Sequence, residues 1–217
     1  MNEIIRNIPD WLIPVLILLI SIIAVAVIFD RIRLLIFKTG SISLKAEREL
    51  LDLVRTGKLD EALEICQKQA RKHPGFAVSV TLIESAKMGL NFRATLESEA
   101  HRTTKLLKKF LPTLGTIATI APLMGLLGTV TGMIKSFHAF DNNKVQNAQL
   151  VGGIDEALIT TTLGLIVGIP SLIVYNYLVN RVNLIAEETF ILSDQIVEEL
   201  DSHAKQVQPI TEGVQNG

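Results

Sequence analysis

Cysteine is almost missing from this chain: Cys66 stands alone among 217 residues, so no intrachain disulfide can form, as suits a reducing compartment. Aromatic residues make up only 5%, and none cluster with basic side chains. Ten acidic residues are interleaved with the basic ones between Asp30 and Phe110, so no nucleic-acid surface is expected. No Gly-Lys-Ser/Thr phosphate loop occurs, and His73, His101, His138 and His203 are scattered rather than spaced as metal ligands. Neither a cofactor nor a metal is expected. Ser21 and Ser171 have no membrane-embedded histidine or paired aspartate to activate them, which argues against an intramembrane enzyme.

Charge is the most informative absence. From Trp11 to Phe29, from Leu111 to Ile134 and from Ala157 to Asn180 there is no Asp, Glu, Lys or Arg. Each run meets the threshold of about 18 residues for a spanning helix. An all-α integral membrane protein with three transmembrane helices follows, with spans at 11–29, 111–134 and 157–180. The first run is expected to remain as an anchor. Asp10 precedes it and Asp30-Arg31-Ile32-Arg33 follows, unlike the basic start and small-residue cleavage site of a leader peptide.

Net charge is −1, yet 16 of the 21 Lys and Arg lie between Asp30 and Phe110. Arg31, Arg33 and Lys38 follow the first span and Lys105, Lys108 and Lys109 precede the second, so the positive-inside rule places residues 30–110 in the cytoplasm. Residues 1–10 are then outside, as is the loop 135–156 with two basic residues, and the C-terminus is cytoplasmic.

Within 30–110 the pattern is helical. Ala46 to Ala70 reads as two amphipathic helices broken at Thr56-Gly57, with Leu50, Leu51, Leu53 and Val54 facing Leu59, Leu63, Ile65 and Cys66. The stretch Gly57-Lys58-Leu59-Asp60-Glu61-Ala62-Leu63 resembles a tetratricopeptide turn, but one hairpin makes no array. A further helix is expected from Phe76 to about Met88, with Gly89 as its cap. Beyond it the periodicity of Ala94, Leu96, Ala100, Thr103, Leu106 and Leu107 predicts one long rod running into the second span. The third span extends likewise through 181–205, and 206–217 is expected to be a disordered tail.

The first span is almost wholly aliphatic and suits a lipid-facing anchor. The other two carry stripes of small residues: Ala118, Ala121, Pro122, Gly125, Thr129, Gly132 and Ser136 on the second, and Ala157, Thr160, Thr161, Gly164, Gly168 and Ser171 on the third. Such stripes let helix backbones approach closely, which assigns Pro122, Gly125, Gly128, Gly132, Gly164 and Gly168 to helix packing. Hydroxyls exceed what packing in apolar surroundings needs, so a polar lumen in an oligomer is expected. No carboxylate or histidine lies deep in any span, so a proton carrier must come from elsewhere. Glu156, at the outer mouth of the third helix, is the nearest candidate. At roughly 3.6 residues per turn, Thr160 falls about 40° from Glu156 and Thr161 about 140° away, which favours Thr160 as its neighbour.

Two stretches are specific enough to name a family: Ala121-Pro122-Leu123-Met124-Gly125-Leu126-Leu127-Gly128-Thr129-Val130-Thr131-Gly132-Met133-Ile134 and Gly153-Ile154-Asp155-Glu156-Ala157-Leu158-Ile159-Thr160-Thr161-Thr162-Leu163-Gly164. They resemble the MotA/TolQ/ExbB proton-channel family, and three spans resemble its ExbB/TolQ branch. The resemblance implies a homopentamer in the bacterial inner membrane around a single-span partner like ExbD or TolR, whose membrane aspartate carries protons. A TonB- or TolA-like energy transducer would complete the machine, which drives outer-membrane transport or, in a TolQ-like role, envelope maintenance or motility. It also implies proton-pathway roles for Thr129, Glu156 and Thr161, although Thr160 and Thr162 stand where the family usually has small residues. The rival reading, a membrane-anchored helical scaffold, leaves the polar character of the second and third spans without a purpose.

Overall fold

In a computed structural model, residues 9, 11–40, 42–141 and 147–212 are described, and among them every regular element is a helix. The order is α1 (Leu12–Ile32), a π-helical turn (Arg33–Lys38), α2 (Leu44–Arg55), α3 (Leu59–Gln69), α4 (Pro74–Lys87), α5 (Phe92–Leu107), α6 (Leu111–Asp141) and α7 (Asn147–Glu212). Three helical stretches are long and apolar enough to cross a membrane: Leu12–Ile36, Phe92–His138 and Gly152–His203. The chain forms two compact units. One holds α1 through Arg31 with Phe110–Leu178; the other holds Ile32–Lys109 and the chain from Val179 onward.

In the first unit, α1 buries a narrow seam of Ile13, Ile17, Ala24 and Arg31, while Leu18, Ile22, Val25 and Phe29 are exposed. A helix apolar all round with one thin buried stripe has the pattern of a membrane span. At its C-terminal end Arg31 is buried, with its guanidinium 5.1 Å from the centroid of the Phe110 ring and its Nε 3.3 Å from Asp30 Oδ2. A cation over an aromatic face is stabilised by the ring quadrupole, the more so when water is excluded.

The second unit has its own core. Leu50, Val54, Ala62, Cys66, Phe76 and Ile83 from α2, α3 and α4 pack with Leu192, Ile196 and Leu200 of α7. Val78, Leu82 and Leu96 gather around Val197 beside them. The α2–α3 turn forms where expected: Gly57 adopts φ +76, a conformation open to glycine at little cost, and its N–H bonds Val54 O. Gly89, at φ +69, ends α4 in the same way.

Four details depart from the sequence reading. The helix expected from Phe76 begins at Pro74, because proline at the first helical position forfeits only an N–H that has no intrahelical partner. The rod expected to run unbroken into the second span is two helices. α5 ends at Leu107, Phe110 takes φ +63, and α6 begins at Leu111. Pro112 is the physical cause, since its ring would clash with the Lys108 carbonyl in a continuous helix and it has no N–H to bond there. The connection expected over 135–156 is largely helical, with α6 reaching Asp141 and α7 starting at Asn147. Finally, α7 runs past Gln206, where a disordered tail is expected, to Glu212, each added residue gaining a backbone bond on an existing helix. Residues 213–217 of that expected tail, and most of the expected N-terminal segment 1–10, lie outside the described residues.

Candidate functional site

The candidate site lies along the antiparallel seam of α6 and α7 in the first unit, where the two small-residue stripes face each other. A Cβ on Gly125 would sit 2.9 Å from Thr161 Cα, and one on Gly164 would sit 2.6 Å from the Ala121 carbonyl oxygen and 3.1 Å from Gly125 Cα. Gly132 opposes Ala157, whose Cβ would be 2.8 Å away, and Gly128 is covered by the Thr160 side chain. Gly168 leaves room for the Pro122 ring, whose Cγ would lie 2.5 Å from an added Cβ. Real Cβ atoms do not come that close, so at Gly125 and Gly164 main chain meets main chain, and at Gly128, Gly132 and Gly168 a side chain of the facing helix takes the space, because these residues lack side chains.

Hydroxyls along the seam mostly donate to their own helix. Thr129 Oγ1 bonds Leu126 O at 2.8 Å, Thr131 bonds Leu127 O at 2.9 Å, Thr160 bonds Glu156 O at 3.2 Å and Thr162 bonds Leu158 O at 3.1 Å. Back-bonding is how a hydroxyl is satisfied in apolar surroundings, and it leaves the oxygen lone pairs free to accept. Thr161 behaves differently: its Oγ1 donates across the seam to the Gly125 carbonyl at 2.9 Å.

At one end of the seam a cavity of about 130 Å³ opens between the three helices of this unit. Its polar lining is Glu156 and Thr160 from α7 with Thr131, Lys135 and Ser136 from α6; Pro9, Ile13 and Pro14 close it on the α1 side. Such a volume has room for several waters, each needing about 10–15 Å³. The structure therefore brings Glu156 and Thr160 to one polar space, while Thr129 and Thr161 are absent from its described lining. Thr129 is buried on α6 and Thr161 is half-buried against it.

Lys135 and the α1 residues of this lining escaped the sequence reading. Lys135 looked like a mere span boundary, although its spacing of three and four residues from Gly132 and Thr131 places it on their face. Pro9 and Pro14 gave no signal, because their place in the lining depends on tertiary packing. Among the described residues no group of three or more His, Cys, Asp or Glu is positioned to hold a metal ion.

Residues 64–189 match the model of the MotA/TolQ/ExbB proton channel family, a stretch that takes in the whole seam and more than half of the chain. The chain belongs to that family. Its curated relatives place it in the ExbB/TolQ branch. The chain is 32% identical over 162 residues to the biopolymer transport protein ExbB-like 3 of Synechocystis sp., covering 72% of this chain and 75% of the relative. It is 41% identical over 93 residues to the biopolymer transport protein ExbB of Aquifex aeolicus, covering 42% and 60% of the two chains. With the Tol-Pal system protein TolQ of Haemophilus influenzae it shares 40% identity over 89 residues, 41% of this chain and 39% of that one. The match thus spans less than two thirds of the latter two relatives. With three membrane-length helices and this family, the chain is a multi-pass membrane protein of the proton-channel, energy-transduction class.

Proposed function

We propose that this chain is the channel-forming subunit of a proton-driven motor in the bacterial inner membrane, assembled as a pentamer around an ExbD- or TolR-like single-span partner. The observation that carries the reading is the pairing of a polar cavity holding Glu156 and Thr160 with spans that contain no carboxylate or histidine farther in. Protons can approach through water in the cavity, but this chain offers them no titratable carrier at the bilayer midplane. A partner's membrane carboxylate supplies it, and the lone pairs of Thr129, Thr160 and Thr161 accept from that acid or its waters. The N-terminus lies outside and the unit of α2–α5 in the cytoplasm, as the concentration of Lys and Arg between Asp30 and Phe110 supports.

Proton flow then shifts or turns the partner within the pentamer, and a TonB- or TolA-like transducer carries the work to the outer membrane. The ExbB-like role, energising transport, is preferred because the relative covered over three quarters of its length bears an ExbB-like name. The TolQ match favours envelope maintenance as the second reading. The test is co-purification from the native membrane: a single-span protein with an acidic residue in its membrane helix should accompany the wild-type chain. Full proton-driven work by the chain in the absence of any such partner would refute the proposal.

A further inference from the structure

Away from the seam, the second unit buries a histidine between two helices. His73 is the N-cap of α4: its Nδ1 accepts from the Gly75 N–H at 3.1 Å. Its Nε2 lies 3.1 Å from Glu188 Oε2 on α7, near enough for an ion pair although the pair is off the line of a hydrogen bond. The His73 side chain is 1% exposed. A Cβ on Gly75 would stand 3.0 Å from His73 Nδ1 and 3.3 Å from Leu192 Cδ2, tight contacts on both sides. Two turns earlier on the same face of α7, Arg181 donates to the Thr39 carbonyl at 3.1 Å, and the Gly40 N–H bonds Lys72 O at 3.1 Å. Residues 39–40, the loop before α4 and α7 are therefore tied at one joint that includes His73.

An imidazole has two nitrogens, and here each has a task. Accepting from Gly75 requires Nδ1 to be bare, so the neutral ring carries its proton on Nε2, facing the carboxylate. A second proton has only Nδ1 to go to. There it would confront the Gly75 N–H, donor against donor, so the cap is lost while attraction to Glu188 grows. We propose that His73 is a proton-operated switch in this joint, capping α4 when neutral and releasing that cap to pair with Glu188 alone when protonated. The charged groups acting on the ring are Glu188 and Arg181, both from α7. Burial and Arg181 hold the ring neutral and Glu188 opposes them. As regulation, the switch rests on the proposed function: a channel discharging protons on the side of this unit would acidify its own joint and loosen it.

Nitrogen NMR of the full chain in nanodiscs, labelled at its four histidines and assigned with His73→Asn, tests the switch. At pH 8 His73 should be the Nε2–H tautomer, and its protonation midpoint should fall to lower pH in Glu188→Gln, which removes the charge favouring the imidazolium. Hydrogen exchange at the start of α4 should accelerate below the wild-type midpoint beyond its intrinsic pH dependence. In His73→Asn, whose side-chain oxygen caps at any pH, that acceleration should vanish. An Nδ1–H tautomer, a midpoint unmoved by Glu188→Gln, or undiminished acceleration in His73→Asn would each overturn the switch. Absent proton flux in the wild type with its partner would instead defeat the proposed function and leave these readouts intact.

Discussion

Thr161 Oγ1 donates to the Gly125 carbonyl oxygen at 2.9 Å, joining α7 to α6 at the point where Gly125 lets the two backbones touch. The bond gives this threonine a structural duty beside any part in proton movement, and the two can be separated. Thr161→Ser keeps the hydroxyl, whereas Thr161→Val removes it at nearly constant shape. Loss of an interhelical hydrogen bond within a membrane costs about 0.6–2 kcal/mol, so Thr161→Val should lower the thermal midpoint modestly yet assemble. Flux in proteoliposomes should fall in Thr161→Val and persist in Thr161→Ser. Equal flux in the two variants would remove Thr161 from the pathway.

Seam contact depends on missing side chains, which predicts a graded glycine series. Gly164→Ala would drive a methyl to 2.6 Å from the Ala121 carbonyl oxygen, and backbone on both sides has no rotamer to yield. Overpacking of this kind costs typically about 1–3 kcal/mol, and Gly128→Leu should disrupt assembly altogether. Gly152→Ala, with nothing within 4 Å of the added carbon, is the matched control and should be neutral. Thermal unfolding in one detergent or nanodisc checks the order; a Gly164→Ala as stable as Gly152→Ala would contradict the packing.

Much of this seam was legible in the sequence because membrane helices meet through small residues, and stripes at three- and four-residue steps can be counted. Placement of Glu156 beside Thr160 followed from helical pitch alone. The cavity wall given by Pro9, Ile13 and Pro14 was not legible, since α1 presents aliphatic residues on every face and nothing local marks the buried stripe. Interruption at Phe110 was missed for another reason. Periodicity reads side chains, whereas the break comes from the missing N–H and ring of Pro112, which act on the backbone four residues earlier. His73 is one of four scattered histidines in the sequence, and only tertiary packing brings Glu188 to it from more than a hundred residues away.

Cys66 is fully buried, and burial pushes its thiol up to about 12, so almost no thiolate exists at neutral pH. Native protein should resist maleimides on either side of the membrane, and the lone cysteine cannot report topology as it stands. Met88→Cys in a Cys66→Ala background can, because Met88 is 72% exposed at the end of α4. Impermeant reagent should label it only after the cells are permeabilised. Labelling in intact cells would reverse the proposed orientation.

His73 is held below its ordinary range, chiefly by burial, so between the two values the unfolded chain binds a proton that the folded chain refuses. Stability should be independent of pH, as far as this residue goes, well above about 6.5, and should decline as pH falls through that value. The decline should cease below the folded-state titration point. His73→Asn should flatten it, and an unchanged slope in that variant, followed by denaturant melts of the full chain, would assign the loss to other groups.

In the proposed motor this chain builds a proton path whose titratable carrier belongs to a partner. Proton uptake into proteoliposomes under an imposed potential tests it most directly, with the chain alone, with its co-purified single-span partner, and with that partner's membrane carboxylate changed to the amide. Flux is expected only in the second preparation, reduced by Thr160→Val and by Thr161→Val. Equal flux from the chain alone, or undiminished flux after the partner's carboxylate is lost, would contradict it.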